Sequence, residues 1–177
     1  MSASNHTDQR IHTAYHEAGH AVIAIVTGRS VNKVSIIPGG NKLGVCKMSK
    51  GRKKASQDVL EAELLILLAG MAAEGRKSGK YNLQGASQDL RAAEKLALSR
   101  AGNPRQAGKV LKRALDKVHN LFDQSANWSA TKSTAEALLE NESISGREAN
   151  HLYKLAAKLK HFIQLKLLPL RHLRFYT

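Results

Sequence analysis

Apolar residues near the start of the chain fall at spacings of three and four: Ile11, Ala14, Tyr15, Ala18, Val22 and Ile25. That is the period of one helix face, and it predicts a helix from about Thr7 or Asp8 to Thr27. Gly28 suits its stop, since glycine takes the left-handed turn at a helix end without a Cβ clash. The pattern then shortens. VNKVSIIP and KLGVCKMS flank PGGN, which reads as two short strands joined by a glycine-containing turn, a β-hairpin. A basic loop at 50 to 54 follows. Ser56 is placed to cap a second helix with Asp58 in its first turn, where the helix dipole favours an anion. VLEAELLILLAGMAA is apolar nearly all round, so this second helix is expected to be the central buried one. Residues 75 to 85 read as a loop.

Four more helices are expected. The third runs from Ala86 or Ser87 to about Ala101 and is closed by Gly102. Pro104 sits at a first-turn position of the fourth, which reaches about Ser125. The fifth covers roughly 130 to 141. Ser145-Gly-Arg-Glu148 has the form of a capping box for the sixth, which continues toward Leu168, where Pro169 discourages further helix. The expected fold is mainly α, compact, with a small β-hairpin or sheet beside the first helix.

With 177 residues, 42% of them hydrophobic, the chain can bury one sizeable core but not two. A single cysteine, Cys46, excludes an internal disulfide and is too little thiol for a cysteine-type zinc site. No apolar leader and no stretch of membrane-span length is seen, so a cytoplasmic protein is expected. The net charge of +14 is unevenly spread. KMSKGRKK carries one cluster, and after Glu148 the only charged side chains are Lys154, Lys158, Lys160, Lys166, Arg171 and Arg174. This separates a basic helical tail, 154–177, from a main unit, 1–153. The tail could dock on the body or touch an anionic surface. Nucleic acid is the less favoured partner, because the basic runs lack interleaved aromatics and any recognisable motif.

Residues 15 to 20 read YHEAGH. At 3.6 residues per turn His16 and His20 share one side of the first helix, and two imidazoles so placed can reach one metal ion. Glu17, rotated by about 100°, is aimed at the neighbouring position. There a carboxylate can take a proton from a water that zinc has made acidic, and return it to a leaving amine. Two unpaired imidazoles on an otherwise apolar helix would be costly to bury, which favours a metal site over a pair of solvated histidines. A catalytic zinc needs a third protein ligand. The residues alone leave His12, Glu61, Glu63, Glu74, Asp89 and Glu94 open. Of these, Glu74 could instead orient a ligand histidine, and Asp89, at a helix start, could be a plain dipole partner.

Four ordered stretches narrow the choice. TAYHEAGHAVIAIV, VNKVSIIPGG with LGV, LLAGMAAE and QGASQDLRAAEKLA closely resemble the peptidase domain of the FtsH-type AAA zinc proteases. AEALLENESISGREANHL is similar to that domain's C-terminal helices, so the likeness spans roughly residues 10 to 153. The resemblance implies a zinc metallopeptidase holding one Zn2+ per chain through His16, His20 and Asp89, with Glu17 as general base. It also implies that Val34, Ser35, Ile36 and Ile37 line the cleft and pair with an extended polypeptide substrate. The family carries transmembrane segments and an ATPase module ahead of the peptidase. Neither is seen in this sequence, nor is GxxxxGK[ST], so the expectation is an endopeptidase acting on unfolded or flexible polypeptides without ATP. The alternative is a zinc-binding, peptidase-like adaptor or regulator of a full-length FtsH-type protease. A homo-oligomer or association with such a protease are the protein partners to expect.

Overall fold

The computed structural model describes residues 3–39, 43–49 and 57–167. Among them are six helices and one small sheet, in the order α1 (Ala3–Val26), β1 (Val31–Ser35), β2 (Val45–Met48), α2 (Gln57–Ser78), α3 (Ser87–Ala101), α4 (Pro104–Asp123), α5 (Ser125–Asn141), β3 (Ser143–Ser145) and α6 (Gly146–Leu167). The mainly α class with a small sheet is borne out. The expected cap at Ser56, the loop at 50 to 54, the second half of the PGGN turn and the stretch after 167 lie outside the described residues.

Helix ends follow local chemistry. α1 stops where Gly28 turns left-handed at φ 79°, and the Arg29 N–H returns to the Ala24 carbonyl at 2.8 Å, closing the last turn. Gly102 closes α3 in the same way at φ 73°. Asn103 accepts from the Gln106 N–H, with Pro104 behind it at the start of α4. The Glu148 N–H donates to the Ser145 hydroxyl at 3.2 Å.

Other boundaries moved. α1 starts earlier than expected, since nothing between residues 3 and 10 breaks a helix. α2 continues through 75 to 78, residues expected in a loop, and stops only at Gly79, φ 78°. Contacts hold that extra turn: Arg76 pairs with Asp123 at 2.7 Å and lies 4.8 Å over the Trp128 ring. α5 opens at Ser125 rather than about 130. There the amide of buried Asn127 donates to the Leu121 carbonyl, and Trp128 meets the edge of Phe122 at 5.8 Å.

The largest revision concerns the sheet. β1 and β2 pair antiparallel, Val34 opposite Cys46 and Ser35 opposite Val45. β3, unforeseen, pairs on the other side, with Val34 opposite Ile144. The order is β2-β1-β3, so β1 is the central strand. Three residues, Ser-Ile-Ser, carry too little alternation to announce a strand. They are set by Glu142, whose left-handed backbone (φ 57°) ends α5 and turns the chain back along β1.

Three apolar clusters form the interior. One joins α2, α3 and α4 around Leu64, Val118 and Phe122. A second packs the sheet and α5, and the third holds Val22, Ala130 and Ala156. α2 is buried along its middle, as expected. Yet the element common to all three clusters is α1, through Ile23 and Ala24, Ala14 and Ala18, and Val22 respectively. Small residues allow this: Gly19 faces the Ala69 carbonyl, which an added Cβ would meet at 2.6 Å. Helix α6 runs unbroken across position 153/154, and Ala156 is the last buried residue among its described side chains. No described helix is long and apolar enough to cross a membrane.

Candidate metal centre

Because α1 is clamped on all sides, its His16 and His20 are held rather than frayed. Their ring centroids lie 4.7 Å apart, edge to face. Each ring is oriented from behind. The His20 Nδ1 N–H donates to the Ile66 carbonyl of α2 at 2.7 Å, and His16 Nδ1 faces Glu74 Oε2 at 3.3 Å. Both Nε2 atoms therefore point the same way, which is how a neighbouring acceptor fixes a ligand histidine's tautomer. They converge on one atom. Asp89 Oδ2 lies 3.1 Å from His16 Nε2 and 3.2 Å from His20 Nε2.

Asp89 comes from the first turn of α3, carried by the turn after α2 in which Asn82 accepts from the Gly85 N–H. Its carboxylate is spent on the two histidines, which a simple dipole partner would not be. The other candidates fall elsewhere. Glu61 pairs with Lys117 and Glu63 with Arg29; Glu94 is exposed. His12 faces Glu74 Oε1 at 3.2 Å and so sits behind the site. Glu74, nearly buried, also accepts from the Asn82 amide at 3.1 Å, and so ties α1, α2 and the turn before α3 together.

Glu17 is buried and lines the cleft in front of the histidines. Two glycines make room there. A Cβ on Gly70 would lie 2.5 Å from His20 Nε2 and 2.6 Å from His16 Nε2; one on Gly44 would lie 2.8 Å from the Glu17 carboxylate. Neither need is visible in the local pattern, because it arises only where α2 and the chain entering β2 meet α1.

Electrostatics fit a cation. Burial opposes a charge on His16, but its hydrogen bonds to Asp89 and Glu74 and the field of Glu17 outweigh it and raise its pKa to about 9. Burial likewise opposes ionisation of Asp89, and the two histidines overcome it, holding the carboxyl far below the usual range. Glu74 is lowered in the same sense by His16 and Asn82, against its burial. These groups stabilise positive charge between the Nε2 atoms and Oδ2. His16, His20 and Asp89 each offer one ligand atom, all within 4.8 Å of one another. Two imidazoles and one carboxylate suit a borderline ion such as zinc and leave room for a further ligand. The donor set therefore fits a metal.

The cleft has a volume of about 560 Å³, within the range of ligand sites. Its walls include Thr13, Ile66, Leu67, Asn82 and Gln88. Val34, Ser35, Ile36 and Ile37, expected to line it, do not. Val34, Ser35 and Ile36 are buried, the backbone of β1 is engaged on both sides, and the Ile36 N–H goes to Glu142. The sheet residues facing the cleft are instead Leu43, Gly44, Val45, Cys46 and Met48, from β2 and the chain entering it. β2 and β3 are the outer strands of the described sheet, and β2 is the one whose residues line the cleft. Cys46 is pushed above the ordinary thiol range by burial and by the charge of Glu17.

The model of peptidase family M41 matches residues 3–103. The chain belongs to this family. That agrees with the FtsH-type resemblance, and the match contains α1, the β1–β2 pair, α2 and all of α3. Similar proteins include the ATP-dependent zinc metalloprotease FtsH of Haemophilus influenzae, 42% identical over 94 residues, 50% of this chain and 15% of that protein. That of Mycoplasmopsis pulmonis is 43% identical over 89 residues, 48% of this chain and 12% of that protein. The Caulobacter vibrioides protein is 37% identical over 100 residues, 54% of this chain and 16% of that one. The matched stretch is thus a small part of each of these M41 relatives.

Proposed function

We propose that this M41 chain is a zinc endopeptidase domain that hydrolyses unfolded or flexible polypeptides. The observation that carries the reading is the convergence of His16 Nε2, His20 Nε2 and Asp89 Oδ2 beside a buried glutamate, at the floor of an open cleft. His16, His20 and Asp89 would hold one zinc ion, with Glu74 and the Ile66 carbonyl orienting the two rings. Zinc there would act as a Lewis acid, polarising the scissile carbonyl and acidifying water.

The chain's own residues do the rest. Glu17 accepts a proton from the attacking water at its carboxylate and delivers it to the nitrogen of the departing amine. Carbon–oxygen bond formation and carbon–nitrogen bond cleavage then leave Glu17 as it began. An extended substrate adds to the outer edge of β2, opposite β1, by main-chain hydrogen bonds that demand little sequence preference. Glu17 and the two ligand histidines, on α1, line the same cleft as that strand. Every group used in bond cleavage belongs to this domain, so hydrolysis of an already unfolded chain needs no nucleotide.

The test is hydrolysis of a quenched fluorescent unfolded protein by zinc-loaded wild type and Glu17→Gln, without ATP, with metal content measured on both. Cleavage by wild type alone, at equal zinc, is expected. Absence of stoichiometric zinc, or zinc-bound protein that cleaves nothing, overturns the reading; the latter result points to the adaptor role.

A further inference from the structure

Helix α6 changes character along its length. Ala149 and Ala156 are buried, and through them the helix lies on the body. Beyond Ala157 every side chain described is exposed: Lys158, Leu159, Lys160 and Phe162. Three of the largest exposed apolar side chains of the molecule lie here, Leu155 at 43%, Leu159 at 60% and Phe162 at 58%. At 100° per residue they fall within one arc of about 60°. Lys154 and Lys158 flank that arc on one side and Lys160 on the other; all three are exposed.

An apolar stripe bordered by lysines, with no acid within reach along the helix, is a defined chemical surface. From residue 149 to the end the sequence has no Asp or Glu, while cations continue through Lys166, Arg171 and Arg174. A solvated helix needs no such stripe. A nucleic-acid phosphate backbone would satisfy the lysines and leave Leu155 and Leu159 in water. A second protein would have to be acidic and apolar at once. A bilayer with anionic head groups meets both halves together. It takes the apolar side chains to the depth of the acyl boundary, while the lysine stems reach back to the phosphates.

We propose that the C-terminal part of α6 is a membrane-surface helix that docks this protein on anionic phospholipid, lying in the interface plane with Leu155, Leu159 and Phe162 inserted. It neither uses the metal centre nor depends on the peptidase reading.

The full chain is sedimented with vesicles of phosphatidylcholine alone or with about one-third phosphatidylglycerol. Binding to the anionic vesicles only is expected. Lys154→Gln/Lys158→Gln/Lys160→Gln should weaken partition about 100-fold, each basic side chain near such a surface contributing about 1 kcal/mol. Leu159→Gln/Phe162→Gln leaves the charge unchanged and should still weaken partition about tenfold or more. Both variants should melt like wild type by circular dichroism and keep the wild-type zinc content. The proposal is overturned by three results. The first is no binding to anionic vesicles. The second is binding that the Leu159/Phe162 variant retains in full, since that is charge alone. The third is a dimer that this variant abolishes, or tighter binding to a single-stranded RNA of the same charge density, for then another partner covers the face.

Discussion

Helices α1 and α6 are nearly equal in length, 24 and 22 residues, and both carry apolar residues at helical spacing. α1 touches all three interior clusters, and six of its residues have no exposed surface. Among its described side chains, α6 buries none beyond Ala156. Periodicity shows that a helix has an apolar face. It does not show whether the protein itself covers that face. A helix surrounded on every side can hold two imidazoles at fixed angles, which a metal site requires. A helix half free cannot, but it can offer its face to something else.

The contrast is sharpest in stability. Ile23→Ala, at a fully buried α1 position, should cost about 3 kcal/mol, within the 2–5 kcal/mol of such truncations, read from urea melts. A cost below about 1 kcal/mol would mean that α1 is less tightly held than its packing implies.

Removing the metal should make that clamped region depend on pH. With His16 raised to about 9 from an ordinary value near 6.5, the folded metal-free state holds its proton more tightly than the unfolded chain. That contribution is complete below about pH 6.5 and is lost as pH rises through 9. The melting temperature of metal-free protein should fall over this window, and zinc should flatten the fall. A flat metal-free profile would contradict the charge arrangement around His16.

Glu74→Gln keeps the shape but removes the charge behind His16 and His12. Zinc affinity should drop 10- to 100-fold in a competition titration, with the fold intact. Leu159→Ala is the smallest effect, within about 0.5 kcal/mol of wild type. A larger loss would show that the body covers this part of α6 after all.

Much of this was legible in the residues. His16, Glu17 and His20 carry their chemistry in four-residue spacing, because a helix face is a local property. Helix ends at Gly28, Gly102 and Pro104 were readable for the same reason: the features that set them span a handful of residues. Asp89 was one acid among several until the family likeness singled it out. Nothing in the local pattern states that a carboxylate 69 residues from His20 meets its Nε2. The strand that faces the cleft was not readable on similar grounds. Val34–Ile37 looks like a strand offering an edge, but β3 comes from more than a hundred residues downstream and takes that edge, leaving β2 to face the cleft.

The sequence by itself determined which segments are helices, which face of each is apolar, and where a metal-binding pair stands, since backbone hydrogen bonds and side-chain period act over one or two turns. Only the tertiary structure decided which helix lies at the centre, which acid joins the histidines, which strand faces the cleft and which apolar face stays exposed. Those outcomes depend on what packs against each element, and that contact is made by residues far away along the chain.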